Sequence, residues 1–151
     1  MLMTSRFEGA AIAVCLLVTG CGDPLSFADV AGSYPLRGVN AQELPYLFTA
    51  TVECDQWIAE GQLILQESGQ FTLTLSGPWD CSRSGGVNQI VGWGFPGTYT
   101  IDGAKLHFLS PLPPSVGGFF EFTGVVGPLQ KSIGVLDLDL SLTPVDLEFR
   151  R

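Results

Sequence analysis

Alternation of apolar and polar residues with a period of two is the feature that most limits what this chain can form. Residues 62–66 and 70–75 alternate in this way on either side of Glu67-Ser68-Gly69, a short turn that contains glycine. Because successive side chains of a strand point to opposite faces, the pattern predicts a β-hairpin. The side chains expected on its buried faces are Leu63, Leu65, Phe71, Leu73 and Leu75.

A second hairpin is predicted around an Asp-Gly pair. Residues 97–101 and 104–109 alternate on either side of Asp102-Gly103. Asp-Gly between two alternating runs is among the strongest short-range hairpin signals, because both residues tolerate the backbone angles of a tight turn.

Three further stretches alternate in the last third of the chain, over residues 119–123, 135–142 and 147–150. In the middle stretch we expect the leucines at even positions, from Leu136 onward, to face inward. Asp137 and Asp139 are then expected to face the solvent. No stretch after the N-terminal segment shows a convincing period of 3.6 residues. Short turns between strands favour an antiparallel meander, and closing it removes two exposed edges.

The predicted fold class is therefore all-β. We expect a small antiparallel up-and-down β-barrel of about eight strands. A two-sheet β-sandwich is the alternative that the sequence leaves open.

The first two dozen residues have a different composition. An apolar run over residues 10–18 precedes Thr19-Gly20-Cys21, and it is much shorter than the ~20 residues of a membrane-spanning helix. The pattern resembles the signal peptide and lipobox of bacterial lipoproteins, whereas an ordinary secretory peptide is the alternative. The resemblance implies cleavage before Cys21 and lipidation of that cysteine. It divides the chain into a cleaved signal peptide (1–20), a lipidated cysteine with its tether (21–29) and a barrel domain (30–151).

The residue after the cysteine bears on location. In the lipoprotein family, an aspartate at that position often marks retention in the inner membrane, and here it is Gly22. The resemblance therefore implies a chain anchored in the bacterial cell envelope by its lipid. In a cell with two membranes the expected site is the outer membrane, facing the periplasm or the cell surface.

The charge and the cysteine content of the chain limit the classes of molecule that we expect it to bind. The chain has 15 acidic and 7 basic residues, which argues against nucleic acid, because phosphate binding needs clustered Lys and Arg. After Cys15 and Cys21, the remaining cysteines are Cys54 and Cys81, which we expect to form a disulfide in an exported chain. Two cysteines and one distant histidine make no zinc site, and we expect neither metal nor cofactor.

Short motifs resemble those of bacterial lipocalin-like proteins, small barrels of the calycin group. Gly32-Ser33-Tyr34 stands where lipocalins carry Gly-x-Trp, and residues 61–73 and 97–106 resemble two of their hairpins. In calycins an arginine near the chain end covers the first-strand tryptophan, and the resemblance gives that role here to Arg150 or Arg151, over Tyr34. It covers residues 28–151 and implies a barrel that binds small molecules, although Tyr replaces Trp and the domain is short.

Aromatic residues lie close to the two cysteines in sequence. At the mouth of a barrel such residues can stack on a ligand, form a hot spot for a partner, or only pack over the disulfide. We expect non-catalytic binding of a small apolar or amphipathic molecule in the barrel. The candidates for its lining or mouth are Trp57, Trp79, Trp93, Phe95 and Tyr99. Arg83, in the adjacent flexible loop, is the nearest cation for an anionic group of such a ligand.

The sequence leaves two other functions open. A barrel with a filled core would serve as a structural or protein-interaction module and bind an envelope protein through the loops around Cys54–Cys81 and the Pro-rich loop 110–114. An enzyme would need a polar cleft around His107, but the alternation predicts that this histidine faces solvent, and no nucleophile motif surrounds Ser110. We expect no enzyme.

Overall fold

The computed structural model describes residues 24–140 and 143–151, and these residues form an all-β structure. The predicted signal peptide and Cys21 lie outside the described residues. A helical turn, α1 (Phe27–Val30), precedes the first strand. Neither this turn nor any other described helix has the length and apolar character needed to cross a membrane.

Strands make up most of the described chain. In order they are β1 (Gly32–Val39), β2 (Gln42–Glu43), β3 (Tyr46–Ala50), β4 (Asp55–Ile58), β5 (Glu60–Leu65), β6 (Gln70–Asp80), β7 (Gln89–Asp102), β8 (Lys105–Pro111), β9 (Phe119–Val126), β10 (Ser132–Leu140) and β11 (Thr143–Arg150). Two short 3₁₀ turns, Ser82–Ser84 and Pro128–Gln130, lie between strands.

Among the described residues, eight of these strands close into an antiparallel barrel. Strands β5 to β11 each pair with the next, and β1 closes the ring by pairing with β11 on one side and β5 on the other. The predicted barrel of about eight strands is therefore confirmed, and the β-sandwich alternative is wrong. Closure satisfies the backbone groups that an open meander would leave at its first and last strands.

The inward faces of these strands form the core. All five residues predicted for the buried faces of the first hairpin are at most 2% exposed. Phe71, Phe108 and Phe122 pack ring against ring in the interior, with Phe108 and Phe122 stacked at a centroid distance of 4.7 Å. Contact of this kind adds to the stability gained by burying the apolar surface.

The second predicted hairpin is confirmed with its turn moved by one residue. Asp102 still belongs to β7, where it pairs with Lys105, so the two-residue turn is Gly103-Ala104. Gly103 has a φ of +58°, which a glycine adopts without steric cost. Asp-Gly marked the hairpin correctly, although only the glycine lies in the turn.

The predicted alternation in β10 is broken by a β-bulge. The pairing with β11 shifts between Val135 and Leu138, and Asp137 has a φ of +50°. As a result Leu136 points outward and is 41% exposed, so its predicted inward orientation is wrong. A bulge places two successive residues opposite one partner residue, which reverses the faces of the residues on one side of it.

One end of the barrel, called the capped end here, is covered by α1. It also carries the turns after β5, β7 and β9. Val30 is fully buried there, and Phe27 packs edge-on against Tyr99 at 5.1 Å. The guanidinium of Arg151 lies over the ring of Tyr34, 4.5 Å from its centroid, and the Tyr34 hydroxyl donates a hydrogen bond of 2.6 Å to the Val30 carbonyl. Arg151, rather than Arg150, therefore covers the first-strand aromatic ring.

Three strands at the opposite end were not predicted from the sequence. Strand β2 extends a hairpin from β1, and β3 and β4 form a hairpin that pairs with the far end of β6. Strands β6 and β7 themselves extend beyond the predicted runs, to Asp80 and back to Gln89. Together these additions build up one end of the barrel, called the open end.

Candidate functional site

The open end brings together the loops that the sequence put forward for partner binding. Strands β6 and β8 run in the same direction around the antiparallel barrel, so the loops that follow them, residues 81–88 and 112–118, lie at the same end. The turn between β3 and β4, residues 51–54, joins them through the pairing of β4 with β6.

The predicted disulfide between Cys54 and Cys81 is present, and it ties the turn before β4 to the end of β6. Next to it, Asp55 and Asp80 are cross-strand neighbours. Asp55 forms an ion pair with Arg83, so the cation predicted to meet a ligand anion is already paired within the protein. The covalent link and the ion pair hold the base of the open end together.

Exposed apolar side chains gather around this end. Ile90 is 73% exposed at the start of β7, and Phe119 is 63% exposed at the start of β9. They are joined at the same end by other exposed apolar residues, namely Leu47, Val52, Trp79, Val87 and Val116. Clusters of exposed apolar side chains on a soluble surface mark interaction sites more often than single scattered ones.

Two of the predicted aromatic residues line the inner side of the open end. Trp93 lies opposite the buried Leu75 and packs edge-on against Phe48 at 5.5 Å. Phe95 lies opposite Leu73, and its ring is 5.7 Å from that of Phe120. All four aromatic side chains are partly exposed, so they form a half-open apolar surface above the core.

Trp57 and Trp79 point to opposite faces of the sheet, so the two indoles do not form one surface. Trp79 lies directly opposite Gln56, and Gln56 and Trp57 are successive residues of β4 whose side chains point to opposite faces. Trp57 instead lies beside the exposed Leu47 on the outer face. The disulfide therefore brings the two indoles to the same end, but on opposite sides of the sheet.

Tyr99 lies at the capped end, away from the mouth. Its side chain is only 2% exposed and its hydroxyl donates a 2.9 Å hydrogen bond to the Gln66 carbonyl. Burial, together with the nearby Tyr34 and Glu67, raises the pKa of the Tyr99 phenol to about 12. Tyr99 faces inward as a core residue and cannot contact a molecule held at the open end.

Side chains fill the barrel interior. Tyr34, Leu63, Leu106, Ile133 and Leu138 have no accessible surface, so no water-sized void adjoins them. These residues lie at different heights along the barrel, from Tyr34 under α1 to Leu138 near the open end. A ligand deep in the lumen would therefore need the core to open.

A cavity of about 290 Å³ lies where β7 and β8 separate at the open end. The two strands pair only as far as Thr98 and Leu109. Beyond that point the space is lined by Phe95, Phe120 and Leu112, together with Ser110 and the carboxylate-bearing Asp139. Ser110 is buried, and its hydroxyl donates a 2.7 Å hydrogen bond to the Pro96 carbonyl.

Acidic side chains lie at this cavity and beside the disulfide. Hydrogen bonds from Ser82 lower the pKa of the Asp80 carboxyl below its ordinary value, so this group is ionised at neutral pH. Within the described residues, Glu53, Asp80 and Asp139 have no ion-pair partner. The open end is thus an apolar rim set in an acidic surface.

His107 and Ser110, the residues considered for catalysis, do not face each other. His107 is exposed on the outer face of β8, whereas Ser110 is buried on its inner face. The two side chains therefore point to opposite sides of the barrel wall, which rules out a nucleophile–base pair between them. Across the part of the chain that the structure describes, no three His, Cys, Asp or Glu side chains are placed to hold a metal ion.

Two aromatic residues of the open end were missed from the sequence. Phe120 was recoverable, because the alternation over residues 119–123 puts Phe120 on the same face as the buried Phe122. Phe48 had no comparable signal, since Tyr46 and Leu47 before it are also apolar and the segment shows no alternation of apolar and polar residues. Both belong to the inner apolar surface formed with Trp93 and Phe95.

Comparison with known proteins found no matching family model, no matching curated protein and no matching solved structure.

Proposed function

We propose that this chain is a non-catalytic interaction module of the bacterial cell envelope, tethered by a lipid on Cys21, which binds a partner protein through its open end. One contrast carries the proposal: the interior is filled by core side chains, whereas exposed apolar side chains crowd the open end. A filled core leaves the outer rim as the binding surface. The resemblance of residues 1–21 to a lipoprotein signal peptide with its lipobox supports the envelope location, and the arginine over the first-strand aromatic ring supports the resemblance of the barrel to lipocalin-like proteins.

The position of α1 supports an orientation for such a tether. The described chain enters the barrel at the capped end, where Leu25 packs against the core. Cys21 precedes Pro24 by three residues, a reach of roughly 10 Å for extended chain. A lipid on Cys21 would therefore hold the capped end next to the membrane and turn the open end away from it, toward a partner.

A second candidate function is binding of a small apolar molecule at the mouth. The observation that favours it is the cavity of about 290 Å³ between β7 and β8, lined by Phe95 and Phe120. Its volume lies just below the roughly 300–1,000 Å³ of ligand pockets. Such a molecule would be small and would bind at the rim, above the filled core.

Photo-crosslinking in intact cells tests the first function. A photoreactive amino acid replaces Phe119 at the open end or, as a matched control, the exposed Ile64 on the barrel wall. We expect a discrete protein adduct from position 119, lost when Ile90→Ser is added, and none from position 64. Equal adducts from both positions, or none from position 119, would contradict the proposal.

Native mass spectrometry separates the two candidates. The chain is purified from the envelope in detergent, and the mass of the folded protein is compared with the mass of its lipidated polypeptide. A bare mass favours the interaction module. An additional bound mass of a few hundred daltons that disappears with Phe95→Ala, but not with Trp57→Ala on the outer face, would favour the small-molecule carrier.

A further inference from the structure

Strand β7 has an edge without a partner among the described residues. On one side it pairs with β6 from Gln89, opposite Trp79, to Thr98, opposite Gln70. On its other side it pairs with β8 only from Asp102 to Thr98. Residues 89–97 therefore present one unpaired side to the gap that holds the cavity of about 290 Å³.

The register identifies which backbone groups face that gap. The Tyr99 N–H donates a 2.8 Å hydrogen bond to the Gly69 carbonyl, on the β6 side. The register between β6 and β7 has no shift, and alternate residues of an antiparallel ladder bond the same neighbour. The N–H and C=O groups of Ile90, Gly92 and Gly94 therefore point away from β6, into the gap.

The residues of this edge leave its backbone accessible. Gly92 and Gly94 are exposed, and a Cβ built on Gly94 would have no atom within 4 Å. Natural proteins usually protect such an edge with Lys side chains, bulges or a covering segment. Residues 89–97 contain no Lys, and at the lower end Pro96 has no backbone N–H to offer while its carbonyl already accepts the hydroxyl of Ser110.

Side chains next to the edge restrict what binds there. The cavity beside Gly94 has room for one large apolar side chain, packed between Phe95, Phe120 and Leu112. Asp139 lines the same cavity, and Asp80 and Glu53 add negative charge at this end without an ion-pair partner in the described ranges. Apolar contact combined with negative charge favours a segment that carries both an apolar and a basic side chain.

We propose that the unpaired edge of β7, at residues 90–94, is a strand-addition site for an extended segment of a partner protein that carries a basic residue close to an apolar one. The inference rests on the proposed interaction function and names its site and partner class. Main-chain hydrogen bonds from Ile90, Gly92 and Gly94 supply affinity, and the cavity and Asp139 supply specificity. A second copy of this chain is disfavoured, because two acidic open ends with a net charge of −8 per chain would repel each other.

The test uses peptides and two variants at one position. Random seven-residue peptides displayed on phage are selected on the full chain, and an enriched peptide is then synthesised and titrated. Gly94→Ala keeps the edge N–H and adds a methyl group in open space, whereas Gly94→Pro removes that N–H without touching the bonds to β6. We expect enriched peptides to carry a basic and an apolar residue.

Affinities give the quantitative outcome. Loss of one edge hydrogen bond through Gly94→Pro is expected to raise the Kd about tenfold, with Gly94→Ala close to wild type. Asp139→Asn is expected to weaken binding of the basic peptide, and N-methylation of alternate peptide amides to abolish it. Amide exchange at Ile90, Gly92 and Gly94 should be fast in the free protein and slow in the complex.

Several outcomes would overturn the inference: no enriched peptide, equal Kd values for Gly94→Pro and Gly94→Ala, or slow exchange of the three amides in the free protein. A chain that self-associates through this edge, seen as a dimer lost on Gly94→Pro, would also overturn it. If the crosslink from position 119 persists in Gly94→Pro, the interaction function stands and strand addition fails. Loss of that crosslink in both Ile90→Ser and Gly94→Pro supports both the interaction function and strand addition.

Discussion

At the scale of single residues, Arg151 joins the segment after β11 to the helical turn α1 and to β1. Its guanidinium covers the Tyr34 ring at 4.5 Å and donates hydrogen bonds to the carbonyls of Val30 and Ala31. These carbonyls lie at the end of the helical turn α1, where the Val30 carbonyl also accepts the hydroxyl of Tyr34, so Arg151 adds donors at a helix end. One side chain thus fixes α1 over the capped end and shields the first-strand aromatic ring from water.

Arg151→Ala should destabilise the fold by about 1–3 kcal/mol, through loss of the cation–π contact and of charge-assisted hydrogen bonds. Arg150→Ala is the matched control: Arg150 pairs only with the neighbouring Glu148 on the surface, and its loss should cost less than about 1 kcal/mol. Urea unfolding of both variants measures the difference. Equal losses of stability would contradict the role given to Arg151.

Tyr99 is expected to make stability fall at alkaline pH. In the folded chain burial raises its pKa to about 12, whereas an unfolded tyrosine has a pKa of about 10. The folded state therefore binds more protons between these values, so the free energy of unfolding falls as the pH rises from about 10 to 12. Thermal unfolding across this range should show a shallower decline for Tyr99→Phe, and identical slopes would refute the assignment.

At the scale of secondary-structure elements, the side-chain faces predicted from alternation differ from the observed ones where a strand contains a bulge. Val135 and Leu138 both face inward, although an odd number of positions separates them, because the bulge at residues 136–137 takes up one residue. The bulge is stabilised from the neighbouring strand, since the Asp137 N–H donates a 2.9 Å hydrogen bond to the Asp146 carboxylate. No rule of alternation within β10 contains that information.

The hairpin of β3 and β4 depends on its covalent link to β6. The disulfide closes a loop with a sequence separation of 27 residues, and in the chain-entropy model such a loop contributes about 3–4 kcal/mol. We expect the double variant Cys54→Ser and Cys81→Ser to lose stability of this order in urea unfolding under oxidising conditions.

Dithiothreitol provides the control for that loss. It should lower the stability of the wild-type chain to the level of the double variant and leave the double variant unchanged. A change below about 1 kcal/mol would mean that the unfolded state gains little freedom when the link is removed.

At the scale of the whole molecule, the two barrel ends have different roles in the proposed function. The capped end receives the chain from Cys21, and the open end carries the apolar and acidic surface. Cys21→Ser should abolish incorporation of labelled palmitate and release the protein from the membrane fraction, while its melting temperature stays unchanged because the barrel lies beyond the tether. Membrane retention of this variant would contradict lipid anchoring.

Most of the barrel was predictable because its signals are local. The alternation predicted the buried faces of Leu63 and Leu73, and the conformational freedom of Gly103 predicted a turn. The open end was less predictable. Trp93 and Phe95 were found as candidates, but Phe48 was not. Tyr99 was proposed for the lining or the mouth and lies at the capped end, because proximity in sequence does not show at which end of a strand a residue lies.

The sequence by itself determined that the chain forms strands, which faces of its hairpins are apolar and which two cysteines are available to pair. These properties depend on residues a few positions apart. They can be predicted because side chains alternate between the two faces of a strand. Only the tertiary structure decided that core side chains fill the lumen and that β7 extends past its pairing with β8, which leaves Ile90 to Gly94 without a neighbouring strand on one side among the described residues. Such features follow from how the strands match in length and register when the barrel closes, and no single segment encodes that match.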